Sequence, residues 1–382
     1  VTRPRRSLSG AAVTRLAALG KAGRILAPTV DLVRVGGLHA LSALRDAAGT
    51  GEWGLAVRRH VYERIWADAA EQLGATISPL GDEFLVIRRG AACTIVSYQQ
   101  VQLDNAVDLE LALHRGIVHR RLVQLGIPVA PYREFAYDDL ASAQDFLART
   151  GRCVVKPASG TSGGEGVTCG IETPAELERA VLCARRWDAR HAVIEQHARG
   201  QEYRLLFLDG RLLGVVQRRP PEVVGDGRAS VVELLGRENA RRAASDGRLG
   251  MSPVNVDLDC VLALARAGLR LGSTVPPGRR VAVKSMVNQS GAADTVTVPR
   301  CLVGDELVRD AANAARAAGV RLAAVEVITP DVRLPLAEAE GIVLEVNGTP
   351  GLHYHYLVAD SECLVPVAVP IVEQLLTEAE RG

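Results

Sequence analysis

The sequence predicts a mixed α/β chain of α+β character, and three observations carry that prediction. Short apolar runs of strand type alternate with amphipathic stretches in which apolar residues recur three and four apart. A glycine-rich loop follows directly on one of those runs, at Lys156-Pro-Ala-Ser-Gly-Thr-Ser-Gly-Gly-Glu-Gly-Val167. Asp209-Gly210 separates two further runs by two residues, which is a strong hairpin signal because both turn positions favour positive φ.

Residues 1–105 mix both patterns. Trp53 to Leu73 reads as a helix through Val61, Ile65, Ala69 and Leu73. Phe84-Leu-Val-Ile-Arg and Thr94-Ile-Val-Ser-Tyr read as short strands split by Arg-Gly-Ala-Ala, a small α/β unit. Leu109 to Leu125 reads as one helix stopped at Gly126-Ile-Pro128, and Ile127 to Pro131 as an extended linker, since proline biases its predecessor away from helix. Arg152 to Lys156 is a strand. Thr173-Pro-Ala-Glu opens a helix with an N-cap, a first-turn proline and a capping-box glutamate. His191 to Glu195 is the next strand, and Tyr203–Leu208 with Leu212–Arg218 form the hairpin. Residues 229–270 are helical and charged, an insertion. Val281–Ser285 and Thr295–Val298 read as strands, Glu306–Ala318 as an amphipathic helix ended by Gly319, and 322–328 and 342–347 as the last strands.

The bulk properties narrow the class. With 382 residues the chain buries a sizeable core in two or three domains. A formal charge of +1 gives no case for nucleic acid or an acidic polymer, and no apolar run is long enough to span a membrane. The seven cysteines are scattered, without CxxC or zinc spacing, which points to reduced thiols and a cytoplasmic setting. The first 24 residues hold six basic groups and no acid. Such a stretch fits a transit peptide or a nucleic-acid arm, but a solvated, frayed helix is the simpler reading. Heavy use of Ala, Arg, Gly and Val suggests a high-GC bacterial genome.

Chemistry concentrates in a few segments. In the loop after Lys156, Gly160, Gly163, Gly164, Gly166 and Gly170 leave backbone N–H groups free to converge on a phosphate, and Ser159, Thr161 and Ser162 add donors. Neither the Walker spacing nor the dinucleotide fingerprint is present, and a bare surface turn would look similar. A lysine ending the apolar run Cys-Val-Val favours the anion site. In Ile342-Val-Leu-Glu345-Val-Asn347, alternation puts Glu345 and Asn347 on one face, while Glu326 interrupts Ala-Ala-Val-Glu-Val-Ile. If those two strands pair, three hard oxygen ligands converge, a set suited to Mg²⁺ shared with phosphates; a solvated edge is the alternative. Glu195 and Glu202, around a short loop, could read an adenine edge and a ribose, or lie exposed on a hairpin.

Taken in order, these segments resemble the ATP-grasp superfamily, and within it the amide-ligase domain of cyanophycin synthetase and stand-alone bacterial peptide ligases of the pheganomycin type. Glu202-Tyr-Arg-Leu-Leu206, Val223-Val-Gly-Asp-Gly227, Val275-Pro-Pro-Gly278, Asn288-Gln-Ser-Gly291, Val327-Ile-Thr-Pro-Asp331 and Glu345-Val-Asn-Gly-Thr-Pro-Gly351 carry the resemblance over about residues 105–382. It implies an N-terminal α/β domain over 1–105 with a substrate role, a central lid subdomain over 106–195, and a C-terminal subdomain over 196–382 with the metal site and a helical insertion near 229–275.

The same resemblance implies roles. Lys156 would contact the α/β-phosphates, with Ser159, Gly160, Thr161, Ser162, Gly163 and Gly164 closing as a lid. Glu195 and the backbone at His197 and Ala198 would read adenine, and Glu202 the ribose. His119 stands where a nucleotide-binding lysine is usual, and His114-Arg115 where an Asp-Lys pair is common. Glu326, Glu345 and Asn347 would hold Mg²⁺, with Mn²⁺ as a substitute. Lys284, Arg204 and Arg218 would face the transferred phosphoryl group or a substrate carboxylate, and His353 to Tyr356 would border the acceptor pocket. The implied activity is ATP-dependent joining of a small-molecule carboxylate to an amine, amino acids or peptides among them, through an acyl phosphate. A small-molecule kinase and a non-catalytic ATP sensor are the competing readings, and a homodimer is left open. The chain has no Mur-type ligase half, so a full cyanophycin synthetase is not expected.

Overall fold

The computed structural model describes residues 50–158, 164, 166–188, 190–244, 253–287 and 294–381. The N-terminal basic segment, most of the glycine-rich loop and Asn288-Gln-Ser-Gly291 lie outside the described residues.

The chain opens with helix α1 (Thr50–Gln72) and a four-stranded antiparallel sheet, β1 (Thr76–Leu80), β2 (Phe84–Arg89), β3 (Ala92–Ser97) and β4 (Gln100–Val101), in sequential order. Two helices follow, α2 (Ala106–Leu113) and α3 (Arg115–Gln124), where the sequence suggested one. His114 breaks the run with φ −80° and ψ 80°.

Next come β5 (Tyr132–Ala136), α4 (Leu140–Thr150), β6 (Cys153–Pro157), β7 (Thr168–Ile171), α5 (Pro174–Ala184) and β8 (His191–Gln196). Thr173 caps α5 with the full capping box: its hydroxyl accepts from Glu176 N, and the Glu176 carboxylate accepts from Thr173 N. Strands β9 (Gln201–Leu208) and β10 (Arg211–Arg219) form the expected hairpin, with φ 50° at Asp209 and 77° at Gly210. The insertion holds β11 (Glu222–Val224), α6 (Val231–Ala244), α7 (Leu258–Arg266) and β12 (Arg280–Ala282). The chain closes with β13 (Asp294–Thr297), α8 (Asp305–Ala318), β14 (Leu322–Thr329), β15 (Ile342–Asn347) and α9 (Ala368–Arg381).

The strand expected over 281–285 stops at Ala282. The backbone N–H groups of Ser285 and Met286 donate to the Asp259 carboxylate instead of continuing a ladder. No described helix is long and apolar enough to cross a membrane.

The chain forms two compact units. One comprises Tyr132–Gln196 and Pro220–Ala293; the other comprises Ala56–Pro131, His197–Arg219 and Asp294–Gly382. In the first, the sheet runs β5-β8-β6-β7, and its core gathers Phe135, Phe146, Val155, Leu177, Val181 and Ile194. The insertion adds its own cluster around Val231, Leu235, Cys260, Leu264, Val275 and Val283.

In the second unit, an antiparallel sheet runs β13-β10-β9-β14-β15. One face buries Leu205, Phe207, Ala323, Val325 and Val327 with Leu307, Ala311, Ala314 and Ala318 of α8. The alanine-rich face of α8 lets the helix sit close on the sheet, and Gly319 ends it in the left-handed conformation at φ 82°. Because alternate residues point to opposite faces, covering one face with α8 sends Glu202, Arg204 and Glu326 to the other.

Candidate functional site

That second sheet face is densely ionic. Register puts Arg204 opposite both Val216 and Glu326, Arg218 opposite Glu202, Glu326 opposite Glu345, and Ala324 opposite Asn347. Arg218 lies 2.6 Å from Glu326 and also contacts Glu202, while Arg204 donates to the other Glu326 oxygen. Arg204, Arg218 and Glu326 are almost wholly buried, at 3%, 1% and 1% exposure. Two guanidiniums against two carboxylates balance, and that balance makes the burial tolerable, since an unpaired charge there would cost several kcal/mol. Burial alone would raise the Glu326 pKa, but Arg218 and Arg204 outweigh it and hold the carboxyl below its ordinary value.

At the sheet edge Asn347 Nδ2 donates to Glu326 at 3.2 Å, and Glu345 accepts from Arg115 at 3.0 Å. The break at His114 starts α3 at the arginine that reaches this edge. Thus Glu326, Glu345 and Asn347 gather on one face, as the strand pattern suggested. The Tyr354 ring lies under both arginines, with its centroid 5.0 Å from Arg204 Cζ and 5.1 Å from Arg218 Cζ.

Behind this face lie two buried histidines. Leu352 N donates to the Tyr62 hydroxyl at 3.0 Å, leaving the hydroxyl to donate to His353 Nδ1 at 3.1 Å. Burial, and then nearby Arg204, drive His353 well below the ordinary histidine pKa and His355 down to about 3. Both rings are therefore neutral at pH 7.

In the other unit Lys156 lies one residue before the end of β6, with its ammonium 2.5 Å from Glu195 on β8. Both side chains are mostly buried, at 12% and 11% exposure, and Lys156 stands just before the glycine-rich loop. Gly164 and Gly166, at the end of that loop, have φ 80° and 74°. At Gly166 an added Cβ would lie 2.6 Å from the Trp187 ring, so only glycine fits. Ser159, Gly160, Thr161, Ser162 and Gly163 lie outside the described residues. His197 and Ala198 form the half-buried loop between β8 and β9, and His119 is half-buried on α3.

Lys284 follows β12 with a fully buried side chain, its ammonium 2.5 Å from Asp257. Burial disfavours the ammonium, but Asp257 and Asp259 outweigh it and raise the pKa above the ordinary lysine value. Asp257 also caps α7 by accepting from Cys260 N at 3.0 Å, and Asp259 accepts from Cys169, Ser285 and Met286 N–H groups.

Sequence reasoning missed Asp257 and Asp259, although two acids flanking a leucine at the head of an apolar helix were a usable signal. It also missed the stacking of Tyr354 under the arginines, which no spacing rule reveals.

No family model matches the chain. It is 29% identical over 318 residues to cyanophycin synthetase of Nostoc sp., covering 82% of this chain and 34% of that protein. It is 30% identical over 261 residues to the glutathione biosynthesis bifunctional protein GshAB of Streptococcus mutans, covering 66% of this chain and 34% of that one. The chain thus spans about a third of the length of the curated relatives it matches. Among solved structures, the bifunctional glutathione synthetase of Pasteurella multocida matches with a TM-score of 0.55 at 23% identity, over 83% of this chain and 44% of that one. Sequence similarity and shared fold agree with the resemblance to the ATP-grasp superfamily carried by the motifs.

Proposed function

We propose that the chain is an ATP-dependent carboxylate–amine ligase that forms an amide bond through an acyl phosphate, acting on small molecules such as amino acids or peptides. The observation that carries this reading is the cross-strand trio Glu326, Glu345 and Asn347, backed by Arg204 and Arg218 on the same sheet face. The similarity to cyanophycin synthetases and GshAB supports it.

The donor set suits Mg²⁺ in one particular way. Two carboxylates and an amide are hard oxygen donors but too few to enclose an ion that takes about six. Among the described residues no group of three His, Cys, Asp or Glu gathers into a ready-made cage. Such a partial set fits an ion whose remaining ligands are phosphate oxygens and water, and Mn²⁺ accepts the same donors. When bound, the ion would supply charge neutralisation at the phosphates.

This chain's own residues would do the rest. Lys156 would hold the α/β-phosphates, with the 159–166 loop closing over the γ-phosphate. Glu195 and the backbone at His197 and Ala198 would bind the base, and Glu202 the ribose. Arg204, Arg218 and Lys284 would orient the substrate carboxylate and stabilise the transferring phosphoryl group. A carboxylate oxygen attacks the γ-phosphorus and ADP leaves; the amine nitrogen then attacks the acyl carbon and phosphate leaves. Nothing in this scheme needs a side-chain nucleophile, because positioning and charge stabilisation carry the rate. The scattered cysteines support a cytoplasmic setting.

ADP release screened against amino acids and dipeptides tests the proposal. Release that needs both an acid and an amine, with acyl hydroxamate formed when hydroxylamine replaces the amine, is the expected result. A stable phosphate ester on an alcohol would make the chain a kinase, and ATP binding without turnover on any mixture would make it a sensor.

A further inference from the structure

In the unit that carries Lys156, a cavity of about 390 Å³ opens beside β12 and the end of α7. Its lining is basic: Arg152, Arg266, Arg279, Arg280 and Lys284 surround it, with Ser285 as a hydroxyl donor. It sits by Arg152, which precedes β6, whereas the glycine-rich loop joins the other ends of β6 and β7. The nucleotide roles assigned above leave it unused, Lys284 apart.

The carboxylates nearby do not account for all of this charge. Lys284 is paired with Asp257, Arg280 is 2.8 Å from Glu222, and Arg152 is 3.6 Å from Glu172. The bonds of Arg266 and Arg279 go elsewhere. Arg266 donates to the carbonyls of Cys169 and Gly170 and to Ser285 Oγ, and Arg279 donates to the carbonyl of Ala267 at 3.0 Å.

Gly170 shows how closely the cations are drawn together. A Cβ built on it would lie 2.7 Å from Arg266 Cζ and 2.8 Å from Arg152 Nη2, so both guanidiniums crowd the same spot. Gly170 has φ 71°, a conformation that a residue with a side chain adopts at a cost. Two like charges held this close on a concave surface repel unless an anion joins them.

We propose that this cavity binds a small molecule carrying two or more carboxylate or phosphoryl groups. Guanidinium forks match the paired oxygens of either group, and the volume suits a small metabolite rather than a chain of residues. The site goes beyond the ligase reading and does not depend on it.

Calorimetric titration of the full chain with tricarballylate, and separately with inorganic phosphate, tests the proposal and distinguishes the two anion classes. Saturable binding of at least one is expected. It should weaken about tenfold or more in Arg266→Gln and in Arg279→Glu, since each loses charge-assisted hydrogen bonds. Arg279 is on the exposed rim, so its variant keeps the test valid if Arg266→Gln, which breaks the Gly170 contact, fails to fold. Lys156→Ala should leave the binding unchanged. Loss of binding in Lys156→Ala with retention in both arginine variants would move the anion to the nucleotide groups and overturn the proposal. So would the absence of saturable binding for both anions.

Discussion

Glu345→Ala separates a functional role for the sheet edge from a structural one. The Glu345 side chain is 16% exposed and its ion-pair partner Arg115 is 40% exposed, at 3.0 Å. A pair that open to water contributes on the order of 0–1 kcal/mol, so the variant should remain folded. Glu326 differs: it is 1% exposed and engages two buried guanidiniums and an amide. Removing it strands a buried cation, which typically costs about 3–5 kcal/mol. Since a kcal/mol moves the melting temperature by about 2–4 °C in a domain of a few hundred residues, Glu345→Ala should melt within about 4 °C of the parent and Glu326→Ala well below it. Glu345→Ala should nevertheless lose the Mg²⁺ dependence of ATP affinity and all ADP release. Calorimetric titration of ATP with and without Mg²⁺, beside thermal melts of both variants, measures each part. Unchanged Mg²⁺-dependent ATP binding in Glu345→Ala would refute the metal assignment, and equal melting losses in the two variants would refute the burial argument.

Three further outcomes are expected. Lys156→Ala should weaken ATP binding about tenfold or more, the value of a charge-assisted contact to phosphate, as read by the same titration. Tyr62→Phe removes a buried hydroxyl that accepts from Leu352 N and faces His353 Nδ1, so a stability loss of about 1–3 kcal/mol is expected in denaturant unfolding. His353 and His355 are held neutral in the fold with lowered pKa values, so the unfolded chain takes up protons first as the pH falls. Their contribution to stability is therefore intact above the unfolded value near 6.5 and declines as the pH falls from there toward about 3 for His355. Going from pH 6.5 to 5 should cost about 1.6 kcal/mol through His355, and His355→Phe should flatten the pH dependence of the melt.

Much of the site could be read in the sequence because its signals are local. The alternation in Glu345-Val-Asn347 and the interruption of an apolar strand by Glu326 placed three donors on one face, and β14–β15 pairing brings Glu326 and Glu345 opposite each other. The α5 capping box and the Asp209-Gly210 turn depend on neighbours within a few residues, and both form as expected. Partner choice was not local. The resemblance implies nucleotide roles for Glu195 and Glu202, and no spacing rule shows that they also pair with Lys156 and Arg218 across strands. The single helix expected over 109–125 splits at His114, whose φ −80° and ψ 80° leave the helical region. The strand expected to 285 yields to the Asp259 carboxylate, 26 residues upstream of Ser285.

By itself, then, the sequence determined most of the strands and helices, the order of the motifs and the shared face of Glu345 and Asn347, because periodicity, caps and turn chemistry act over a few residues. The glycine-rich loop and the Glu-x-Asn strand were legible on those grounds alone. Only the tertiary structure decided which charges neutralise one another. A buried ion is tolerated only beside its counter-ion, and cross-strand register rather than spacing along the chain selects that partner. The same register leaves Arg204 and Arg218 balanced against Glu202 and Glu326, while the fold draws Arg152 and Arg266 together over Gly170.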